Sequence, residues 1–246
     1  VVRENIKEEF ALKVRVKFAK EGAMKFIGHL DIMRYFQKAI KRAGIDVAYS
    51  EGFSPHMIMS FAAPLGVGVT STAEYFDMEI NMPISGKEAV KRLNEVMVEG
   101  MEVKSFRKIP DGKANAAMAL VAAADYYVEF REGMEPETDW KNKIEDFVRQ
   151  SEILIVKKTK KNEKEVDIRP YIYEMRLEES RIFLKLAAGS VKNTKPELVM
   201  EAFLAFLGQE FDSFCFTIHR AEVYADKGTE ECRNLISLED LGEEIE

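Results

Sequence analysis

Apolar and polar residues alternate with two different periods near the start of the chain. Residues 12–17, "LKVRVK", alternate apolar and basic side chains, which is typical of a β-strand with one buried face. In residues 28–43 the apolar side chains instead recur every three or four positions, as on one face of an α-helix. Four basic residues fall on the opposite face of this predicted helix: Arg34, Lys38, Lys41 and Arg42. Gly44 is expected to end the helix.

Further patterns complete a βαββαβ order in the first half of the chain. Three more strands are predicted, over residues 57–62, 73–80 and 101–109. Ser85 and Glu88 have the spacing of a capping box and predict the start of a second helix, which Gly100 would close. This order is that of the ferredoxin-like, or split βαβ, unit.

The second half of the chain repeats the same order. Strand patterns occur at residues 125–130, 152–158, 171–177, 181–187 and 214–224, and helix patterns at 138–149 and 194–207. An extra strand or loop is expected near residues 166–169. The sequence therefore predicts an α+β fold of tandem, duplicated ferredoxin-like units with antiparallel sheets. The predicted boundaries are 1–110 for the first unit, 111–123 for a linker or short helix, 124–225 for the second unit and 226–246 for an acidic C-terminal tail.

The composition is that of a soluble globular protein, with 46% hydrophobic and 32% charged residues. No stretch has the roughly 20 apolar residues of a membrane span, and the first residues are charged where a signal peptide would be apolar. We therefore expect a cytoplasmic protein with no membrane partner. The two cysteines, Cys215 and Cys232, have no metal-binding spacing and suggest neither a disulfide framework nor an iron–sulfur or zinc site. No metal and no cofactor are expected on this chain, although two histidines and one carboxylate would suffice for a metal site.

The net charge of −7 is carried by one end of the chain. Residues 222–246 contain nine acidic and two basic residues, whereas residues 1–221 are balanced. Residues 13–60 contain nine basic and four acidic residues. A basic face in this segment can contact phosphates, although evenly scattered surface charge that keeps the protein soluble is the simpler reading.

Two histidines in the first half are candidates for catalysis, together with one carboxylate. His29 and Asp31 are predicted in the first turn of the first helix, where backbone N–H groups favour an anion. His56 follows a loop that Gly52 and Pro55 are expected to make rigid. Side chains near neutral pKa suit proton transfer. The structural alternatives are a dipole-stabilising carboxylate at Asp31, a packed His29 and a structural turn histidine at His56.

Further side chains are candidates for binding a substrate. Asp167 and Arg169 are two positions apart on an extended segment, where the guanidinium can grip a carboxylate or phosphate or simply pair with Asp167. Lys195 follows a Gly and Ser loop that leads into a helix and can hold an anion, without the spacing of a nucleotide P-loop. The full substrate-binding set is Arg34, Lys38, Tyr49, Ser50, Gly52, Phe53, Ser54, Asp167, Arg169 and Lys195.

These segments resemble a radical-SAM-associated family of unknown function, a bacterial domain found beside or fused to B12-binding radical SAM proteins. "SEGFSPH" (residues 50–56) is the most specific match. Other matching residues include Phe26, Leu30, Ala43, Phe61, Pro64, Leu65, Gly68, Glu74, Tyr75, Asp77, Ile168, Pro170, Gly189, Ser190, Pro196 and Arg220. Ser54 stands where the family usually has Asn, and Met57 where it commonly has Pro or Gln.

The resemblance implies an accessory role beside a radical SAM protein. A radical SAM cluster needs three cysteines, so the iron–sulfur cluster, S-adenosylmethionine and, in B12-binding members, B12 are expected on the partner. The leading hypothesis is an accessory protein that binds RNA (tRNA or rRNA) or presents substrate, with a pocket lined by His29, Asp31 and His56. The alternative is a metal-independent RNA-processing or RNA-modifying enzyme that uses His29 or His56 as general acid or base. A third possibility is an interaction module whose acidic tail docks on a basic partner.

Overall fold

The chain folds into two compact units. The computed structural model describes residues 11–158, 163–190 and 192–246. The first unit combines the described part of Val1–Val121 with Glu222–Glu246, and the second unit is Ala122–Ala221.

The first unit is a four-stranded antiparallel sheet with two helices. Its strands are β1 (Leu12–Lys20), β2 (Met59–Ala62), β3 (Thr70–Ile80) and β4 (Met101–Lys108). They pair in the order β4-β1-β3-β2, every pair antiparallel. The helices α1 (His29–Arg42) and α2 (Gly86–Asn94) follow β1 and β3 in the chain. This is the arrangement of a ferredoxin-like unit, and the predicted α+β class is confirmed.

Alternation along the strands gives the sheet one apolar and one polar face. Val14, Val16 and Phe18 of β1 are fully buried and belong to one core cluster with Phe36 and Ile40 of α1. Phe18 and Phe36 pack edge to face, with ring centroids 4.6 Å apart. Because successive side chains of a strand point to opposite faces, the residues between these core positions lie on the face away from α1.

Helix α1 has the predicted bounds, whereas α2 is shorter than predicted. Gly28 is the N-cap of α1, and Gly44 follows it with a φ of 66°. Ser85 caps α2 by accepting the N–H of Glu88, as predicted. The helix ends at Asn94 rather than close to Gly100, because the Asn94 side chain bonds both backbone groups of Val103 in β4.

The predicted linker at 111–123 and the predicted tail at 226–246 both contain regular structure. The linker contains a 3₁₀ turn (Lys113–Asn115) and the short helix α3 (Ala117–Leu120) before strand β5 begins. In the C-terminal segment, β11 (Leu235–Ser237) pairs with β10, and β12 (Glu243–Glu244) pairs with the free edge of β4. The acidic segment is thus part of the first unit.

The second unit has the same strand order with one insertion. Its strands are β5 (Val121–Phe130), β8 (Ile172–Glu178), β9 (Arg181–Ala187) and β10 (Phe216–Asp226), in the order β10-β5-β9-β8. Its helices are α4 (Ile144–Val148) and α5 (Pro196–Phe206). The insertion is a hairpin of β6 (Leu154–Lys158) and β7 (Glu163–Asp167), which forms a separate two-stranded sheet. The extra strand expected near residues 166–169 corresponds to β7.

Both helices of the second unit differ from the predicted bounds. The pattern at 138–149 forms only the five-residue α4 after a 3₁₀ turn at Lys141–Lys143. Helix α5 begins at Pro196 with Lys195 as its N-cap, so Thr194 lies one position before the cap. No described helix is long and apolar enough to cross a membrane.

Candidate functional site

The polar face of the first unit's sheet carries a buried ion pair. Arg15 of β1 and Asp77 of β3 are direct cross-strand partners, and two guanidinium nitrogens donate to the two carboxylate oxygens at 2.8 and 3.1 Å. Arg15 is only 2% exposed. Its other donors bind the carbonyls of Asn115 and Leu238, and Asp77 also accepts the N–H of Ala117. The pair therefore fastens the linker and the C-terminal segment onto the polar face.

A second ionic cluster surrounds Lys17, which lies two residues after Arg15 on β1. Lys17 Nζ lies 2.7 Å from Glu222 and 2.8 Å from Glu239, and the buried Tyr75 hydroxyl donates to Glu222 at 2.6 Å. Burial acts to lower the pKa of Lys17, but its bonds to the two carboxylates outweigh this and raise the pKa. Burial would raise the pKa of Glu239, yet Lys17 holds that pKa below its usual value. Burial and the charge of Glu222 raise the pKa of Tyr75. The cluster is thus suited to holding the C-terminal segment.

A cavity of about 300 Å³ opens on the same polar face, at the edge formed by β2. Its residues come from β1, the segment leading into β2, β3 and the linker. They include Lys13, His56, Ile58, Ser60, Asp77, Glu79, Ile109, Pro110 and Lys113. This volume is in the range of small-ligand sites. The cavity is our candidate binding site.

His56 is held at this cavity by a closed loop. Tyr49 and Met57 form an isolated β-bridge, which closes the loop between them. Ser50 Oγ accepts the backbone N–H of His56 at 3.1 Å and lies 2.8 Å from its Nδ1. The other ring nitrogen, Nε2, makes no hydrogen bond within the described residues. An imidazole fixed in this way can exchange a proton or a hydrogen bond with a ligand through Nε2.

Two further polar groups of the cavity are available to a ligand. Glu79 of β3 lies opposite Lys13 of β1 in the strand register. Lys13 pairs instead with Asp111, at 3.2 Å. Among the described residues the Glu79 carboxylate and the Ser60 hydroxyl have no hydrogen-bond partner. Because unpartnered polar groups are stabilised by a matching ligand, they indicate polar recognition in this cavity.

His29 and Asp31, the other candidates for catalysis, make different contacts. The His29 ring packs edge to face on the core residue Phe61, with centroids 5.2 Å apart. Asp31 pairs with Arg34 one turn along α1 at 3.1 Å, and both side chains are 66% exposed. Neither residue lines the cavity beside His56. Within the described ranges, no group of three or more His, Cys, Asp or Glu side chains is placed to hold a metal ion.

The first unit also exposes aromatic side chains beside lysines. We call this the aromatic–basic surface: Lys25, Phe26, Arg34, Lys38, Lys41, Arg42, Tyr49 and Phe53. Phe53, at the tip of the closed loop, is fully exposed, Phe26 is 63% exposed and Tyr49 is 44% exposed. Lys25 lies over the Phe26 ring at 5.2 Å, before α1, and Lys41 in its last turn lies over the Tyr49 ring at 5.9 Å. Arg34 and Lys38 lie between these two pairs in the chain, Arg42 follows Lys41, and all four basic residues of α1 are exposed.

The remaining substrate-binding candidates lie around these features or in the second unit. Ser50, Gly52 and Ser54 form the closed loop, and Gly52 has a φ of 102°, which a glycine adopts without strain. In the second unit, Asp167 accepts the backbone N–H groups of Ile153 and Arg169.

The Arg169 guanidinium donates to two carbonyls, those of Val148 and Ile172. These bonds join the end of α4 to the start of β8, so Asp167 and Arg169 support the backbone of the second unit. Lys195 is exposed, at the start of α5.

Sequence reasoning missed the cavity residues Ser60, Glu79 and Lys113. The signal for two of them was present: Ser60 and Glu79 alternate with buried Phe61 and Met78, so period two places them on the polar face. Lys113 carries no such signal because it lies in the linker. A second aromatic–cationic group was missed in the second unit, where Arg176 lies 3.8 Å over Phe183 and Arg181 lies 4.2 Å over Tyr127.

Comparisons with known proteins were made for the whole chain. A family model described as "Uncharacterized protein conserved in bacteria (DUF2344)" matches residues 13–196. No curated protein is significantly similar. Among solved structures, one chain of "Crystal Structure of a Cbf5-Nop10-Gar1 Complex" aligns with a TM-score of 0.41 and 12% identity. The alignment covers 91% of this chain and 51% of that chain, so the sequence spans about half the length of the protein it matches.

Proposed function

We propose that this chain, which belongs to the DUF2344 family of uncharacterized proteins conserved in bacteria, binds single-stranded RNA and presents it to a radical SAM enzyme. It would act in the cytoplasm as an accessory protein. The partner would carry the iron–sulfur cluster, S-adenosylmethionine and, where present, B12. The sequence resemblance supports the partner, whereas the surface chemistry of the first unit supports the RNA.

The aromatic–basic surface is the observation that carries the RNA proposal. Proteins that bind single strands combine aromatic side chains, on which bases stack, with cations that contact the backbone phosphates. Phe26, Tyr49 and Phe53 supply exposed rings, and α1 supplies four exposed cations over a length of about 12 Å. Arg34 stays available to phosphates because its exposed ion pair with Asp31 contributes little free energy.

Charge and packing favour RNA over an apolar protein partner at this surface. Lys38, Lys41 and Arg42 make no ion pair within the described residues, so their charges are uncompensated. An apolar partner would have to remove these charges from water, whereas phosphates would match them. The exposed rings lie beside lysines rather than in a continuous apolar patch. Exposed rings beside cations suit a single strand, whose bases stack and whose phosphates are charged.

The binding test is a salt titration with labelled single-stranded RNA of 12 nucleotides. We expect binding that weakens steeply with salt, with a slope about 0.7 smaller for each lysine removed. Lys38→Ala with Lys41→Ala should lower both the affinity and the slope. Phe53→Ala should weaken binding about tenfold, because one base loses its stacking partner.

The matched control is Lys87→Ala with Lys91→Ala, which removes two exposed lysines from α2 of the same unit. This double variant should keep wild-type affinity. Equal weakening by both lysine pairs would mean diffuse charge attraction, and no binding at low salt would refute the RNA proposal. Co-purification with a radical SAM enzyme tests the partner separately.

A second candidate function rests on the geometry of His56. Its Nδ1 is fixed by Ser50 while Nε2 is available beside a cavity, as expected for a general acid or base in RNA processing or modification. Of the two histidines, His29 is packed against Phe61, so His56 is the stronger candidate. Mass spectrometry of RNA incubated with the purified protein tests this. Cleavage or modification abolished by His56→Ala would support it, and unchanged RNA would contradict it.

A further inference from the structure

We infer that the cavity beside His56 binds one unstacked guanine base of a single-stranded RNA. This inference rests on the proposed RNA binding and names the base that the cavity would select. Single-stranded RNA is recognised by placing individual bases in protein pockets, where their Watson–Crick edges meet polar groups. The cavity, at about 300 Å³, lies within the size range of small-ligand sites.

The Glu79 carboxylate supplies the selectivity. Within the described residues it has no hydrogen-bond partner, and a carboxylate group accepts bonds but donates none. Guanine is the RNA base that offers two adjacent donors on its Watson–Crick edge, the ring N1–H and the exocyclic N2–H₂. A carboxylate accepts two such parallel bonds in the same forked way that it accepts a guanidinium. Adenine, cytosine and uracil each offer one donor group on this edge, so Glu79 would favour guanine.

His56 supplies a complementary donor to the same cavity. Ser50 Oγ already accepts the backbone N–H of His56, so its hydroxyl proton can be donated to Nδ1 of the ring. With Nδ1 as acceptor, the neutral imidazole carries its proton on Nε2. That N–H can donate to O6 or N7 of guanine, which are both acceptors. Glu79 would thus accept bonds from N1–H and N2–H₂ of guanine, and His56 would donate one to O6 or N7.

The cavity is connected in the chain to the aromatic–basic surface. Tyr49 begins the closed loop, Phe53 forms its tip and His56 ends it at the cavity. A strand whose bases stack on Tyr49 or Phe53 would therefore have its next bases close to His56. Ile109 and Pro110 line the cavity and offer apolar contact to an inserted ring. One RNA strand can occupy both features.

The test compares four RNAs of 12 nucleotides in binding to the full chain. One is all uridine, and the others carry a single central G, A or C. The RNA with G should bind about tenfold more tightly than the others, as expected for one forked contact to a base. Glu79→Gln should abolish this preference, because the amide presents a donor to one of the guanine donors. Affinity for the all-uridine strand should stay unchanged.

Glu99→Gln is the matched control, because Glu99 is exposed in the same unit and does not line the cavity. It should keep the full preference for G. His56→Ala should also reduce the preference for G, because it removes the donor to O6 or N7 of guanine. Equal melting temperatures would show that all variants are folded. For the wild type, guanosine monophosphate should compete with RNA better than adenosine monophosphate.

The outcomes separate this inference from the proposed function. Equal affinity for all four RNAs, or a preference for G that survives Glu79→Gln, would overturn the guanine inference and leave RNA binding intact. No binding of any RNA would overturn both. A preference lost with Glu79→Gln but kept with Glu99→Gln would support both.

Discussion

Two of the arginine–aspartate pairs in the first unit differ sharply in environment. Arg15 is buried, Asp77 is only slightly exposed, and the two bond three backbone groups in addition to each other. This pair lies on the polar face of the sheet, where it bonds the linker and the C-terminal segment. Arg34 and Asp31 are one turn apart on α1 and largely exposed to water. Solvent screening makes an exposed pair nearly neutral for stability, whereas one partner of a buried pair cannot be removed without leaving a buried charge.

We predict that Asp77→Ala lowers the free energy of unfolding by about 3–5 kcal/mol, because Arg15 would remain buried without its counter-charge. Asp31→Ala, the matched exposed change, should cost less than about 1 kcal/mol. Urea unfolding followed by circular dichroism measures both. Similar small losses for the two variants would show that water reaches Arg15.

The burial of Arg15 could not be predicted from its surroundings in the sequence. Lys13, Arg15 and Lys17 occupy equivalent positions of one alternating pattern, which favours a solvent-exposed basic face. The segments that cover Arg15 are 100 and 223 residues away along the chain. A local pattern reports which residues share a face, but not what later covers that face. The His56 loop was predictable because its Gly, Ser and Pro turn chemistry is local.

The elements whose apolar residues recur with a clear period were predicted best. Helix α1 has a continuous apolar stripe and matches its predicted bounds, whereas α4 is shortened to five residues after a 3₁₀ turn. The acidic C-terminal segment has weak periodicity, yet it forms β11 and β12. Its order comes from bonds to other elements: backbone pairing with β4 and β10, and ionic contacts of Glu239 with Lys17 and Arg107.

We predict that the docking of this segment depends on pH in both directions. The folded pKa of Glu239 is lowered, so its contribution is complete above the usual glutamate pKa and is lost as the pH falls through the lowered value. The folded pKa of Lys17 is raised, so its contribution is complete below the usual lysine pKa and is lost as the pH rises through the raised value. Amide hydrogen exchange in residues 235–246, corrected for intrinsic rates, should show greatest protection between these limits.

Glu239→Gln tests the loss of amide-exchange protection at low pH. The variant should be less protected at neutral pH, and its protection should change less on acidification than that of the wild type. Glu243→Gln is a suitable comparison because Glu243 is exposed on β12. An unchanged acid response in Glu239→Gln would assign the pH dependence to other carboxylates.

At the scale of the whole molecule, the first repeated unit is built from two separate stretches of chain, whereas the second is one continuous stretch. The repeated βαββαβ order was predictable because each element has a local pattern. The return of Glu222–Glu246 to the first unit was not, because it depends on contacts with Arg15, Lys17 and the edge of β4. The second unit, Ala122–Ala221, is inserted between the two parts of the first.

We predict that a fragment of residues 11–121 is poorly folded by itself and gains structure when a peptide of residues 222–246 is added. The peptide would restore the partners of Arg15 and Lys17 and the strand that pairs with β4. Far-ultraviolet circular dichroism and the melting temperature of the mixture measure the gain. A peptide in which Glu222 and Glu239 are replaced by Gln should be less effective, and a fragment that is fully stable without peptide would contradict the prediction.

The order of residues in the chain has a consequence for synthesis on the ribosome. Residues 11–121 emerge before residues 222–246, which supply the strand that covers the β4 edge and the carboxylates that neutralise Lys17. Until then the nascent first unit exposes an unpaired strand edge, which is prone to pair with other chains. A ribosome that stalls after the second unit would therefore leave the first unit incomplete.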